Sequence, residues 1–125
     1  MYVDNIYMSN KVVSILEKMY PGRISDFCSE ILFWKQLFTN NNFGKIIHYK
    51  CGPAWSVFVG NQLNIDIKAV EVCNYASIQE IIGVECIYYT DKIPFQDNTF
   101  DTLISNELNP EIERIMKPNF LFKVF

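Results

Sequence analysis

The chain of 125 residues has one histidine, two arginines, five glycines and five prolines, and these shortages already remove several classes of function. His48 is the single imidazole, and the four cysteines at 28, 51, 73 and 86 form no Cys-x-x-Cys pair. Zinc sites gather ligands at close spacing, so no metal is expected. Eleven Lys and Arg against fourteen Asp and Glu leave a net charge of −3, and no stretch clusters several bases. A nucleic-acid partner, which needs a basic face, is therefore not expected. No apolar run approaches the ~18 residues of a membrane span, so no membrane association is expected. The segment Met1 to Val13 carries Asp4 and lacks the basic flank of a signal peptide. A cytoplasmic protein with buried, reduced thiols is the expectation. What the chain has in quantity is apolar surface: 50% of residues are hydrophobic and 15% aromatic. That composition excludes disorder and fits one domain over residues 1–125.

Hydrophobic patterning divides the chain in two, with helices over 1–43 and a different rhythm over 44–125. Ser9 can cap a helix that runs to about Tyr20 and ends at Pro21-Gly22. A second helix is predicted from Ser25 or Asp26, with Phe27, Ile31, Trp34, Leu37 and Phe38 at helical spacing, stopped by the run Thr39 to Asn42 and Gly44. From Lys45 onward short apolar runs alternate with helix-length pieces. Strands are predicted at 46–49, 67–72, 86–89, 102–105 and 121–125. Helices are predicted at about 54–63, 77–82 and 110–116. This alternation predicts an α/β fold with a mainly parallel sheet, doubly wound by right-handed crossovers.

In such a sheet the ligand crevice opens at the carboxyl ends of the strands. The residues there are Lys50 to Ala54 after the first strand, Glu71 ending the second, Asp91 after the third, and Asn106 and Glu107 after the fourth. A carboxylate after the second strand can bridge two ribose hydroxyls, and one after the third can accept from an exocyclic amine. Cys51 stands at a helix N-terminus, a place where a thiol pKa can fall. The alternative reading of the acids is that they are surface-loop residues.

The segment Asp91-Lys92-Ile93-Pro94-Phe95-Gln96-Asp97-Asn98-Thr99-Phe100-Asp101, with Glu111-Ile112-Glu113-Arg114-Ile115-Met116-Lys117-Pro118 after it, resembles class I S-adenosylmethionine-dependent methyltransferases. Ile46-Ile47-His48-Tyr49-Lys50-Cys51-Gly52-Pro53-Ala54 is similar to the glycine-rich first motif of that family, and Glu71 matches its ribose-binding acid. The resemblance covers Lys45 to the C-terminus. It implies a Rossmann-like methyltransferase sheet shortened to about five strands, with S-adenosylmethionine as cofactor and Gly52, Glu71, Asp91, Cys51 and Ser105 as its contacts.

The departures from the family pattern fall on the cofactor loop. His48 replaces the acid of the first motif, Lys50 its first glycine and Ala54 its last. In the family, bare backbone at the first glycine lets the methionine end of the cofactor pass, and a lysine side chain there would project into that path or have to bend away. The stretch after Ser105 is also short, and no catalytic set can be named. Three functions remain open. One is a degenerate, non-catalytic binding or scaffold module, as a homodimer or as the inactive partner of an enzyme. Another is a minimal active methyltransferase for a small molecule or peptide. The third is a module binding another adenosine compound.

Overall fold

A computed structural model of the chain describes residues 1–89 and 91–125. It opens with a hairpin absent from the sequence-based expectation. Strands β1 (Tyr2–Val3) and β2 (Ile6–Tyr7) pair antiparallel, and the linking Asp4 and Asn5 have φ of 46° and 69°. Two positive φ values are what a tight turn of this hand demands, and Asp and Asn tolerate them best after glycine. Helix α1 (Asn10–Met19) begins where expected: Ser9 Oγ accepts from Val12 N–H at 3.1 Å. Helix α2 (Ile24–Asn40) buries Phe27, Ile31, Trp34 and Phe38 on one stripe.

The core sheet then follows in the anticipated order: β3 (Ile46–Tyr49), α3 (Trp55–Gln62), β4 (Ile67–Glu71), α4 (Ala76–Ile82), β5 (Ile87–Tyr88), β6 (Phe100–Ile104), α5 (Pro110–Ile115) and β7 (Met116–Lys123). The strands lie in the order β5-β4-β3-β6-β7, and every pair is parallel. Strand order reverses beside β3, between β4 on one flank and β6 on the other, which places a ligand crevice above these strands. One face of the sheet packs Leu16, Phe27, Ile31 and Trp34 with Trp55, Val59 and Ile67 in a single buried cluster. The other face buries Ile47, Val70, Leu103, Ile112 and Ile115. Helix α3 comes unusually near β4: a Cβ on Gly60 would lie 2.7 Å from Ile67 Cγ2.

The last strand corrects the sequence expectation. It starts at Met116 directly after α5, not at Leu121, and ends at Lys123. Its register shifts between Phe100 and Thr102, so Met116 pairs with Phe100 while Leu121 pairs with Thr102. Lys117 to Phe120 are the surplus, with Pro118 lacking an N–H and Asn119 at φ 62°. An edge strand can carry such a bulge, because its outer hydrogen bonds are not needed.

The two segments that carry the family resemblance are locked to one another. Arg114 donates to the carbonyls of Phe95 at 2.8 Å and Ile93 at 2.9 Å, and to Asp97 Oδ1 at 2.8 Å. It also pairs with Glu111, which accepts in turn from Ile93 N–H at 3.2 Å. Asp101 ties β6 to the entry of β3 by accepting from Lys45 N–H at 2.8 Å, beside Gly44, where any Cβ would strike its carboxylate.

Candidate functional site

The loop from Lys50 to Ala54 sits at the carboxyl end of β3, the central strand. Lys50, Gly52 and Ala54 have φ of 57°, 60° and 66°, so alternate residues are left-handed. The backbone thus takes the form of a glycine-alternating loop although only one of the three residues is glycine. Lys50 and Ala54 hold it at a steric cost of about 1 kcal/mol each. The Lys50 ammonium pairs with Glu107 at 2.9 Å and lies 5.7 Å from the centre of the Tyr49 ring.

Glu71 ends β4 and is 3% exposed. Its Oε2 accepts from Gly52 N–H at 2.8 Å, and its Oε1 accepts from Val72 N–H at 2.8 Å and Cys73 N–H at 3.1 Å. The carboxylate is therefore turned under the loop, with three of its roughly four acceptor sites taken by backbone donors. Gln79, a residue the sequence did not single out, completes the clamp. Its Nε2 donates to Gly52 C=O at 2.6 Å, and its Oε1 accepts from the Tyr88 hydroxyl at 2.6 Å. A buried glutamine on α4 carries no signature in sequence beyond a polar residue on an otherwise apolar helix face.

Cys51 and Ser105 both line a cleft of about 590 Å³ between α2 and the ends of β3 and β6. Trp34, His48, Trp55 and Phe125 form much of its wall. Asp91 faces a separate groove of about 400 Å³ with Val72, Tyr88 and Tyr89. Between them the Tyr89 hydroxyl donates to the Tyr49 hydroxyl at 3.0 Å, and burial pushes the Tyr49 pKa up. Of the five residues predicted from the sequence, the structure joins Gly52 to Glu71 by a hydrogen bond and places Cys51 and Ser105 together. Asp91 is brought to neither pair.

His48 occupies the position of the family's acid and does different work. Its Nδ1 lies 2.6 Å from Ser56 Oγ, and its ring packs 5.2 Å from that of Trp34. Burial lowers its pKa to about 4, against the opposing charge of Glu71, so the imidazole is neutral near pH 7. Phe125 covers this aromatic group from the C-terminal side, 5.9 Å from Trp34 and 5.2 Å from Phe33. The sequence expectation for Cys51 is reversed. Its sulfur lies 3.5 Å from that of Cys86, and this contact, with burial, raises the Cys51 pKa, while the same contact lowers that of Cys86. Among the described residues no group of three or more His, Cys, Asp or Glu side chains could hold a metal ion. No described helix is long and apolar enough to cross a membrane.

No protein-family model and no curated protein sequence matches the chain. Solved structures do. A SAM-dependent methyltransferase from Thermotoga maritima, described as a possible histamine N-methyltransferase, superposes with a TM-score of 0.57 at 20% identity over 90% of this chain and 59% of its own. A SAM-dependent methyltransferase from Aquifex aeolicus gives a TM-score of 0.52 at 18% identity, over 93% of this chain and 72% of its own. The chain thus spans about three-fifths of the length of the first of these proteins. Its fold is that of the class I SAM-dependent methyltransferases.

Proposed function

We propose that the chain is a non-methylating member of this fold, a binding module that takes a small ligand in the cleft above β3 and β6. The observation that carries the reading is the commitment of Glu71 to three backbone N–H groups. A ribose diol brings two donors to a carboxylate with about one acceptor site left, so it would have to displace at least one of those bonds, worth about 1.5–3 kcal/mol to an ionised acceptor. The residues present therefore do not fit S-adenosylmethionine in this arrangement. Lys50 adds a side chain where the family leaves bare backbone, and Asp91 is turned to a different groove. The cleft has aromatic walls from Trp34 and Trp55 and polar groups from Lys50, His48 and Ser105. That mixture suits a small, mostly apolar ligand carrying a polar end. Assembly as a homodimer, or as the inactive partner of an active enzyme, belongs to the same reading.

The second reading is a minimal SAM-dependent methyltransferase. It is favoured by the left-handed backbone at 50, 52 and 54, which keeps the loop's shape without its glycines. Gly52, Glu71, Asp91, Cys51 and Ser105 would then be the cofactor contacts after Glu71 swings out. Calorimetric titration of S-adenosylmethionine and S-adenosylhomocysteine into the purified protein separates the two. Silence to millimolar concentration is expected. Binding at micromolar strength overturns the first reading and favours the second, while binding of AMP but not of either methionine compound favours an adenosine-binding module.

A further inference from the structure

Two thiols from distant parts of the chain meet beneath the loop that follows β3. Cys51 Sγ lies 3.5 Å from Cys86 Sγ, one in the loop itself and the other at the entry to β5. Both are free thiols in this structure. Cys51 is 8% exposed, whereas Cys86 is partly exposed and lines an open groove of about 870 Å³ with Gln79, Glu80 and Tyr88. The pair therefore has one sheltered sulfur and one that a small molecule can reach. Gln79 Nε2 stands 3.9 Å from Cys51 Sγ while holding Gly52 C=O, so the sulfurs share their surroundings with the clamp on the loop.

We propose that Cys51 and Cys86 form a reversible dithiol–disulfide site whose oxidant is a small-molecule disulfide, and whose oxidised form ties the β3–α3 loop to β5. The sulfurs must close from 3.5 Å to the ~2.05 Å of a disulfide, a shift within reach of side-chain rotation. Cys86 reacts first. Its sulfur gives its proton to water and attacks one sulfur of the small disulfide, whose S–S bond breaks. One small thiolate leaves and takes up a proton. Cys51 then loses its proton and attacks the Cys86 sulfur of the mixed disulfide, expelling the second small thiolate, which is protonated in turn. Two protein thiols lose two electrons in all, and the small disulfide becomes two thiols. Cys86 is the sulfur that reaches the open groove, and its contact with Cys51 lowers its pKa, which together support that order of attack.

The other cysteines are the internal controls. Cys73 is exposed and Cys28 is partly exposed, and neither is paired with another sulfur among the described residues. The test treats the full chain with glutathione disulfide near pH 8, alkylates what remains, and maps the products by mass. The expected product has lost two hydrogens and yields a cross-linked peptide joining Cys51 to Cys86, which dithiothreitol reverses. In Cys51→Ser the reaction should stop at a glutathione adduct on Cys86, while Cys73→Ser should cross-link like the wild type. Hydrogen exchange of the amides of Lys50, Cys51, Gly52 and Ala54 should slow about tenfold in the oxidised form, as a loop opening is suppressed. The proposal is overturned if Cys51 and Cys86 are both recovered alkylated, if wild-type Cys86 keeps its adduct, or if exchange in the loop is unchanged by the cross-link.

Discussion

Lys50 holds a conformation that glycine adopts freely, and its side chain gains only a half-exposed pairing with Glu107 in return. Such a pair is worth little in water. Lys50→Gly should therefore stabilise the protein by about 1 kcal/mol in urea unfolding. Ala54→Gly should stay within about 0.5 kcal/mol of the wild type, because the relief of strain is offset by the loss of a buried methyl group. A destabilised Lys50→Gly would mean that Glu107 organises the loop. His48 has a folded-state pKa of about 4 against an ordinary value of 6.5, so its contribution is complete above pH 6.5 and is lost as pH falls toward 4. Between pH 7.5 and pH 5 the wild type should lose about 2 kcal/mol that His48→Asn does not lose. Paired urea titrations at the two pH values measure the difference. The position of Glu71 at a strand end was readable from the sequence. The direction of its carboxylate was not, because that depends on where the Gly52 amide lies in space. Nor could spacing show that Cys51 and Cys86 meet, since each lies in or beside a separate apolar run.

At the level of elements, the segments that made the fold legible turn out to be structural. Ile93 to Asp97 and Glu111 to Arg114 are residues of a clamp, with the guanidinium satisfying two carbonyls and two carboxylates at once. Arg114→Gln should lower the urea midpoint, since it leaves the Ile93 and Phe95 carbonyls and Glu111 without their donor. Arg114→Lys should recover less than half of this, because an ammonium cannot reproduce the planar fork. An unchanged urea midpoint in Arg114→Gln would refute the clamp. The missed elements have equally local causes. The β1–β2 hairpin has strands of two residues each, too short for an alternating pattern to show. The early start of β7 was hidden by Pro118 and Asn119, residues that interrupt a strand pattern and here form a bulge within the strand.

At the scale of the molecule the sheet ends in β7, whose Leu121 and Phe122 are exposed, followed by exposed Val124 and Phe125. Phe125 leans on Phe33 and Trp34, which covers part of the cleft and leaves the outer edge of β7 without a partner among the described residues. Backbone groups and apolar side chains presented together invite pairing with another strand. A second copy of the chain is the expected occupant, and light scattering at micromolar concentration should give twice the 14.6 kDa chain mass. Phe122→Lys should shift the population to monomer, and a wild type that is monomeric throughout would refute edge pairing.

The strand order also sets a sequence of events in time. β3 can meet β4 through the neighbouring α3, whereas β6 must cross a much longer stretch of chain to reach the other flank of β3, and β7 can add only after β6. Closing the shorter loop costs less entropy, so β3, α3 and β4 should assemble first, with the approach of Gly60 to Ile67 already made at the folding barrier. Ile67→Val should then slow folding with little change in the unfolding rate. Met116→Ala, at the last strand to join, should speed unfolding and leave the folding limb of the chevron almost untouched.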